Sequence, residues 1–343
     1  MRIILLLILL CILGCGRNDI VDYTRPEVSP IIKMDTVKVQ DNYVIIQNPY
    51  KNKGLQELKG SIHNHTNNSI RIDGYGSGEM YQVGCKFRDE GNFDFYTFTD
   101  HNAVTKDPGV EGIVWIGEAV EDTKSTQHLC VYNLPYGYSY TDKGDDIQDL
   151  IAYYRSIGAV VSYAHPDWRA QIQSNEKIST VRDVFFVEAL NSTGEGSLRA
   201  YNLLLAKGQN VYCVGVDDYH YDALWSDPNM YFNKAYIFAY ADFKEYNSIW
   251  KSLLSGCFYA STGAKMDISC ENGVITVKTD VESDIDVIGV NVDYPEYGRI
   301  VDSVRSSNLL VYEINEDEPV VWVRVSNVQG LAYSQAFKIV GFV

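Results

Sequence analysis

The sequence predicts an α/β protein: a parallel sheet or barrel of alternating strands and helices, followed by a small all-β module. Three observations predict it. From Leu58 to about Ala260, short β-rich runs alternate with stretches of helical periodicity, the pattern of parallel strands joined by crossover helices. After Thr262-Gly263 the alternation stops, and only strand-like runs separated by turn residues remain. The 343 residues are 46% hydrophobic and 22% charged, a composition that buries a core and allows about two domains at roughly 150 residues each.

The first residues read as an export signal rather than as fold. Met1-Arg2 is followed by an uncharged stretch from Ile3 to Gly14, too short for a membrane span of about 20 apolar residues. The sequence Ile12-Leu13-Gly14-Cys15 resembles a bacterial lipobox, so residues 1–14 are expected to be a signal peptide and Cys15 the lipidated anchor of an exported lipoprotein, periplasmic or on the cell surface. Residues 15–54 carry scattered Pro, Asn and Asp and one apolar run at Tyr43–Ile46, which reads as a tether with a lead-in strand. Five of the seven cysteines lie beyond this segment; none forms a CxxC pair, so neither a thiolate zinc site nor a disulfide scaffold is indicated.

Residues 55–262 hold the α/β region. Strands are expected at Leu58–His63, Phe93–Thr99, Ile113–Glu118, Leu129–Leu134, Ala159–Ala164, Val184–Leu190, Val211–Val216 and Ala235–Tyr240. The stretch Asp146–Ile157 places Ile147, Leu150, Ile151 and Tyr154 on one helical face, and Ser197–Lys207 is similar. Residues 263–343 show runs at Val274–Lys278, Val287–Val292, Leu309–Ile314 and Val320–Val325 without a helix, which reads as a β-sandwich.

Acidic residues outnumber basic ones 45 to 29, for a formal charge of -16, a field that repels phosphate backbones and argues against a nucleic-acid partner. Against that background the six histidines stand out by position. His63 and His65 close the first α/β strand; Asp100 and His101 follow the second; Glu118 ends the third; His128 opens the fourth; His165 ends the fifth; Asp218 and His220 follow the seventh. In parallel α/β folds the carboxyl ends of the strands face one crevice, where side chains from distant positions meet. Residues two apart on a strand share a face, so His63-x-His65 can reach one ion, and Asp218-x-His220 likewise. A single His-x-His pair is commonly incidental, and a lone His-Pro is usually a turn; completeness decides, because no histidine lies outside the set. Nitrogen and oxygen donors without thiolate favour zinc, manganese or iron.

At these residues the chain resembles the PHP superfamily of polymerase- and histidinol-phosphatase-type metal-dependent phosphoesterases. The matching motifs are His63-Asn64-His65-Thr66, Thr99-Asp100-His101-Asn102, Gly117-Glu118, His128, Ala164-His165-Pro166 and Asp218-Tyr219-His220, in the family's order over residues 58–262. Phe258-Tyr259-Ala260-Ser261-Thr262-Gly263 and the β module after it resemble exported members related to carbaryl hydrolase. The resemblance implies a distorted seven-stranded β/α barrel with metal ions at the strand ends. One ion would lie among His63, His65, Glu118 and Asp218; Glu118 would bridge to a second held by His128 and His165; Asp73, His101 and His220 would hold a third. Ser61 stands where many relatives have aspartate, and the loop from His65 to Asp73 is long, so the implied count is two or three ions.

The implied activity is hydrolysis of a small phosphate ester by a metal-bridging hydroxide. Three divalent ions against Asp73, Glu118, Asp218 and a hydroxide leave a charge of about +2, which selects a compact anion. Asp100 is a candidate for orienting a ligand or carrying a proton, Arg169 for reaching a substrate phosphate, and Glu188 and Asn191 for lining the crevice. Two other readings remain open on sequence alone: cleavage of a carboxyl ester, carbamate or amide at the same site, and a non-catalytic surface-binding lipoprotein with structural metals.

Overall fold

The structure is a computed structural model that describes residues 30–70, 78–169, 172–194, 196–220 and 231–343. The signal-like segment, Cys15 and Asp73 lie outside the described residues. The architecture is mixed α/β and mostly sheet.

Strands β1 (Met34–Val39) and β2 (Asn42–Gln47) form a hairpin. Its alternation buries Val37, Val39, Val44 and Ile46 while Lys38 and Tyr43 face solvent. The expected lead-in strand is therefore half of a hairpin. Its partner beyond β1 is the last strand of the described chain rather than the first strand of the α/β region.

The α/β region begins with β3 (Gln56–Ser61), α1 (Asn67–Ile70), α2 (Met80–Asp89), β4 (Phe95–Tyr96) and β5 (Val114–Trp115). Strands β3, β4 and β5 run parallel. A Cβ on Gly60 would collide with the Phe95 ring, so glycine permits this close pairing. Gly117, at a φ of 101°, then turns the chain into β6 (Val120–Asp122).

Strand β6 belongs to a second sheet with β7 (Leu129–Tyr132), β8 (Val160–Tyr163), β9 (Phe186–Asn191) and β10 (Tyr212–Val216), in the order β10-β9-β8-β7-β6. Strands β8, β9 and β10 are parallel, whereas β6 and β7 are antiparallel additions. Between them lie α3 (Ile147–Ser156), α4 (Asn175–Thr180) and α5 (Leu198–Ala206). Asp146 caps α3 by accepting from the backbone of Gln148 and Asp149, and the helix buries Leu150, Ile151 and Tyr154. Ser197 caps α5 the same way through Ala200. Strand β11 (Tyr236–Ala241), α6 (Tyr246–Leu254) and β12 (Phe258–Ser261) return to the first sheet, with β11 antiparallel to β3.

The rest of the described chain is β13 (Asp267–Glu271), β14 (Val274–Gly289), β15 (Arg299–Glu313), β16 (Val320–Asn327), β17 (Gly330–Ser334) and β18 (Phe337–Phe342). Two of the expected runs are ends of one long strand, β14, whose first half pairs with β13 and whose second half pairs with β16. Strand β17 pairs with β12, so one 13-stranded sheet passes through the α/β region and the β module alike. Among the described residues, the ladders form this sheet and the five-stranded one rather than a ring of seven strands.

The two sheets meet at their carboxyl ends through two isolated parallel bridges, Asn64 with Tyr219 and His101 with Glu121. The backbone N–H of His65 donates to Tyr219 at 2.8 Å and that of Asn102 donates to Glu121 at 2.8 Å. Three of the four bridged residues, Asn64, His101 and Tyr219, lie within the histidine motifs; Glu121 does not.

Candidate metal centre

That seam sets the site. Asn64 separates His63 from His65, and Tyr219 separates Asp218 from His220, so pairing Asn64 with Tyr219 turns four donors toward the same space. The second bridge delivers His101 from beyond β4 and Glu121 from β6. His128 precedes β7, and His165 follows β8 with a φ of 23°, an unusual backbone for a residue with a side chain.

Glu121 is the centre of the arrangement and is fully buried. Its Oε1 lies 2.9 Å from His128 Nδ1 and 3.0 Å from His165 Nε2. Its Oε2 lies 2.8 Å from His101 Nε2, 3.2 Å from His63 Nε2 and 3.4 Å from His65 Nε2. Asp218 Oδ1 is 3.0 Å from His65 Nε2 and 3.3 Å from His63 Nε2. Potential ligand atoms accordingly gather in overlapping groups: His63, His65, Glu121 and Asp218; Glu121, His128 and His165; His65, His101 and His220. Donors around a tetrahedral ion with bonds near 2.0–2.1 Å stand about 3.3 Å apart, so these separations fit divalent cations.

A second layer of hydrogen bonds fixes one nitrogen of three of the rings. His63 Nδ1 donates to Glu188 Oε1 at 2.7 Å. His65 Nδ1 is 3.1 Å from Ser69 Oγ, and that hydroxyl donates to Asp100 Oδ1 at 2.9 Å. His220 Nδ1 donates to the backbone carbonyl of Asp218 at 3.0 Å. In each of these three rings the other nitrogen, Nε2, stays available, the arrangement in which metal-binding histidines donate one ring N–H to a supporting partner. Glu188 also accepts the backbone N–H of His165 at 2.9 Å, which supports the strained residue.

The structure brings together seven of the nine residues expected to bind metal: His63, His65, His101, His128, His165, Asp218 and His220. Asp73 lies outside the described residues. Glu118 is a correction. Its place between the two sets of imidazoles is taken by Glu121, while Glu118 lines a separate cavity of about 230 Å³ with Lys106, Trp115, Leu134 and Tyr246. The cause is local: the turn at Gly117 ends β5 before Glu118, and the chain re-enters a sheet only at Val120, so Glu121 sits across from the strand-end histidines. The sequence held a signal for this in the paired acids Glu118 and Glu121, but a three-residue strand is too short to show periodicity.

Asp100 is held by four donors: the backbone N–H and hydroxyl of Thr66, at 2.6 and 2.8 Å, and the hydroxyls of Ser69 and Thr105. It therefore orients His65 through Ser69, and its oxygens are taken up in that task. Arg169 is exposed on the turn after His165 and is not in the donor groups. Of the residues expected to line the crevice, Glu188 bonds to two candidate ligand residues, His63 and His165, and Asn191 donates to it at 3.2 Å.

No protein-family model matches the chain, and no curated protein matches it in sequence. Among solved structures it is similar to a two-domain protein from Bacteroides vulgatus ATCC 8482 that contains a predicted PHP-like metal-dependent phosphoesterase. The identity is 14%, the match covers 89% of this chain and 99% of that one, and the TM-score is 0.41.

The electrostatics follow from burying acids among imidazoles. Burial alone would raise the carboxyl of Glu121, yet His101 and His63 hold it well below its usual range. Asp218 is held down in the same way by His63, His65 and His220. Burial opposes a charge on His165, but Glu121 outweighs it and lifts the ring to about 9. His65, buried and faced by His220 and His101, is pushed well below its usual value. Six buried or partly buried imidazoles and two carboxylates held in the ionised form thus make a donor set at which metal binding would displace protons.

Proposed function

We propose that this protein is a metal-dependent hydrolase, most specifically a phosphoesterase acting on a small phosphate ester. The observation that carries this reading is the two-sided use of Glu121. One carboxylate oxygen faces His128 and His165, and the other faces His63, His65 and His101. A carboxylate shared in this way suits a pair of ions, whereas a structural site usually closes around one.

His63, His65, Glu121 and Asp218 would hold one ion, and Glu121, His128 and His165 a second; His101 and His220, with His65, offer a third position. Bound divalent ions would supply Lewis acidity and lower the pKa of water toward neutrality. The chain's own residues do the rest. Glu121 and Asp218 neutralise part of the cationic charge, leaving about +2 for two ions, so an anion is drawn in despite a net charge of -16. Glu188, Ser69 and Asp100 keep the imidazoles in place. His63, His65 and Glu121 are closed to solvent, while His101, His128 and His220 are partly open, so substrate meets the centre from that side. The lipobox-like segment adds export and attachment to a bacterial membrane to the same proposal.

The test is to express residues 16–343, measure bound metal, and assay phosphate monoesters and diesters beside carboxyl esters. Phosphate-ester turnover that His165→Ala and Glu121→Ala both abolish supports the proposal. Cleavage of carboxyl esters alone, or stoichiometric metal without turnover of any substrate, overturns it.

A further inference from the structure

Among the described residues, Trp168 places an aromatic ring against the candidate centre at His128 and His165. Its ring centroid lies 5.0 Å from that of His128 and 5.9 Å from that of His165. It is half-buried, so part of the indole packs on the ligands and part meets solvent. His128 is also among the partly open imidazoles, which places Trp168 on the rim where substrate arrives.

Described residues on either side of Trp168 are tied down. The backbone N–H of Trp168 donates to His165 at 2.8 Å, and that of Gln173 donates to Pro166 at 3.1 Å. Arg199, mostly buried, reaches across from α5 to the carboxylate of Asp167 and to the carbonyl of Gln173. An indole fixed beside a metal-bound anion offers its face or edge to whatever the phosphorus carries.

We infer that Trp168 is a specificity-determining residue that selects phosphate esters whose organic part is a planar aromatic ring. This rests on the hydrolase reading for the position of the phosphoryl group. An aromatic pair in a partly open site changes affinity by about three- to tenfold.

The experiment measures calorimetric binding of phenylphosphonate and methylphosphonate to metal-loaded protein, with kcat and KM for 4-nitrophenyl phosphate and glycerol phosphate alongside. Phenylphosphonate is expected to bind about fivefold or more tightly than methylphosphonate. Trp168→Ala should erase that ratio and raise KM for 4-nitrophenyl phosphate alone, Trp168→Phe should retain most of it, and metal content should stay constant in both. Equal binding of the two phosphonates by the unaltered protein overturns the inference even when hydrolysis is found. So does a Trp168→Ala variant that weakens both ligands alike, because the indole then serves only to pack His128. A binding ratio that behaves as expected without turnover overturns the hydrolase reading instead. Failure of both phosphonates to bind overturns both readings.

Discussion

Glu188 and His63 are joined by a 2.7 Å hydrogen bond between two fully buried side chains, while the other oxygen of Glu188 accepts the backbone N–H of His165. One carboxylate thus steadies two ligands that come from opposite sheets. A glutamine can keep the bond to His63 but brings neutrality and an amide donor toward His165. Glu188→Gln is expected to fold and to lose metal affinity by roughly 10- to 100-fold, the usual cost of disturbing such a support. Competition with a chelating dye measures it; an unchanged affinity would show that Glu188 only fills space.

Glu121 and Glu118 make opposite predictions three residues apart. Glu121→Ala removes the acceptor shared by five imidazoles and should leave the purified protein with at least one ion fewer per chain. Glu118→Ala should retain its metal, because its side chain lines a different cavity. Elemental analysis of both variants decides the matter, and metal loss from Glu118→Ala with retention in Glu121→Ala would reverse the assignment.

Chelation should weaken the seam between the two sheets before it weakens either sheet. An ion present at 100 to 1,000 times its dissociation constant stabilises by about 3–4 kcal/mol. Its removal should lower the thermal midpoint and speed amide exchange at His65, Asn102 and Glu121, whose N–H groups bridge the sheets, more than within the β14–β15 pair. A melting temperature indifferent to chelator would contradict the placement.

Lys338 supplies a pH dependence outside the candidate metal centre. Its ammonium is buried, donates to the Gln209 carbonyl at 2.5 Å, and is lowered from 10.5 to about 8 by desolvation. Below about pH 8 both folded and unfolded chains carry the proton, and the buried charge weighs fully against folding. Between 8 and 10.5 only the unfolded chain keeps it, so this contribution to stability rises with pH. Lys338→Met removes the effect: the variant should gain most over the parent at neutral pH, by on the order of 2 kcal/mol, and the gap should close toward pH 10. Urea midpoints at several pH values read this, and a gap that widens with pH would refute it.

Much of the site was legible because imidazole is scarce in this chain and strand ends are easy to find. His63, His65, His101, His128, His165, Asp218 and His220 needed only the alternation of β and α runs to be placed together. The helix around Leu150 and Ile151 was legible from its apolar face. Glu121 was not, because its strand is three residues long and its neighbour Glu118 occupies the more conspicuous Gly-Glu step. Nor was the sheet's continuity from β12 into β17, since pairing between strands distant in sequence leaves no mark on either one. The long β14 was split in two because its middle, Thr279 to Asp284, is polar and half-exposed while both ends are apolar.

The pairing of β2 with β18 has a consequence for how the polypeptide matures. Gln47 finds its ladder partner in Lys338, so the outer edge of β2, made early in synthesis, has no strand to pair with until nearly all the described residues have left the ribosome. That unpaired edge stays open through the interval, to misassociation or to a chaperone. Closure across so many intervening residues is also slow. The nascent chain is therefore most vulnerable just before its final described strand arrives.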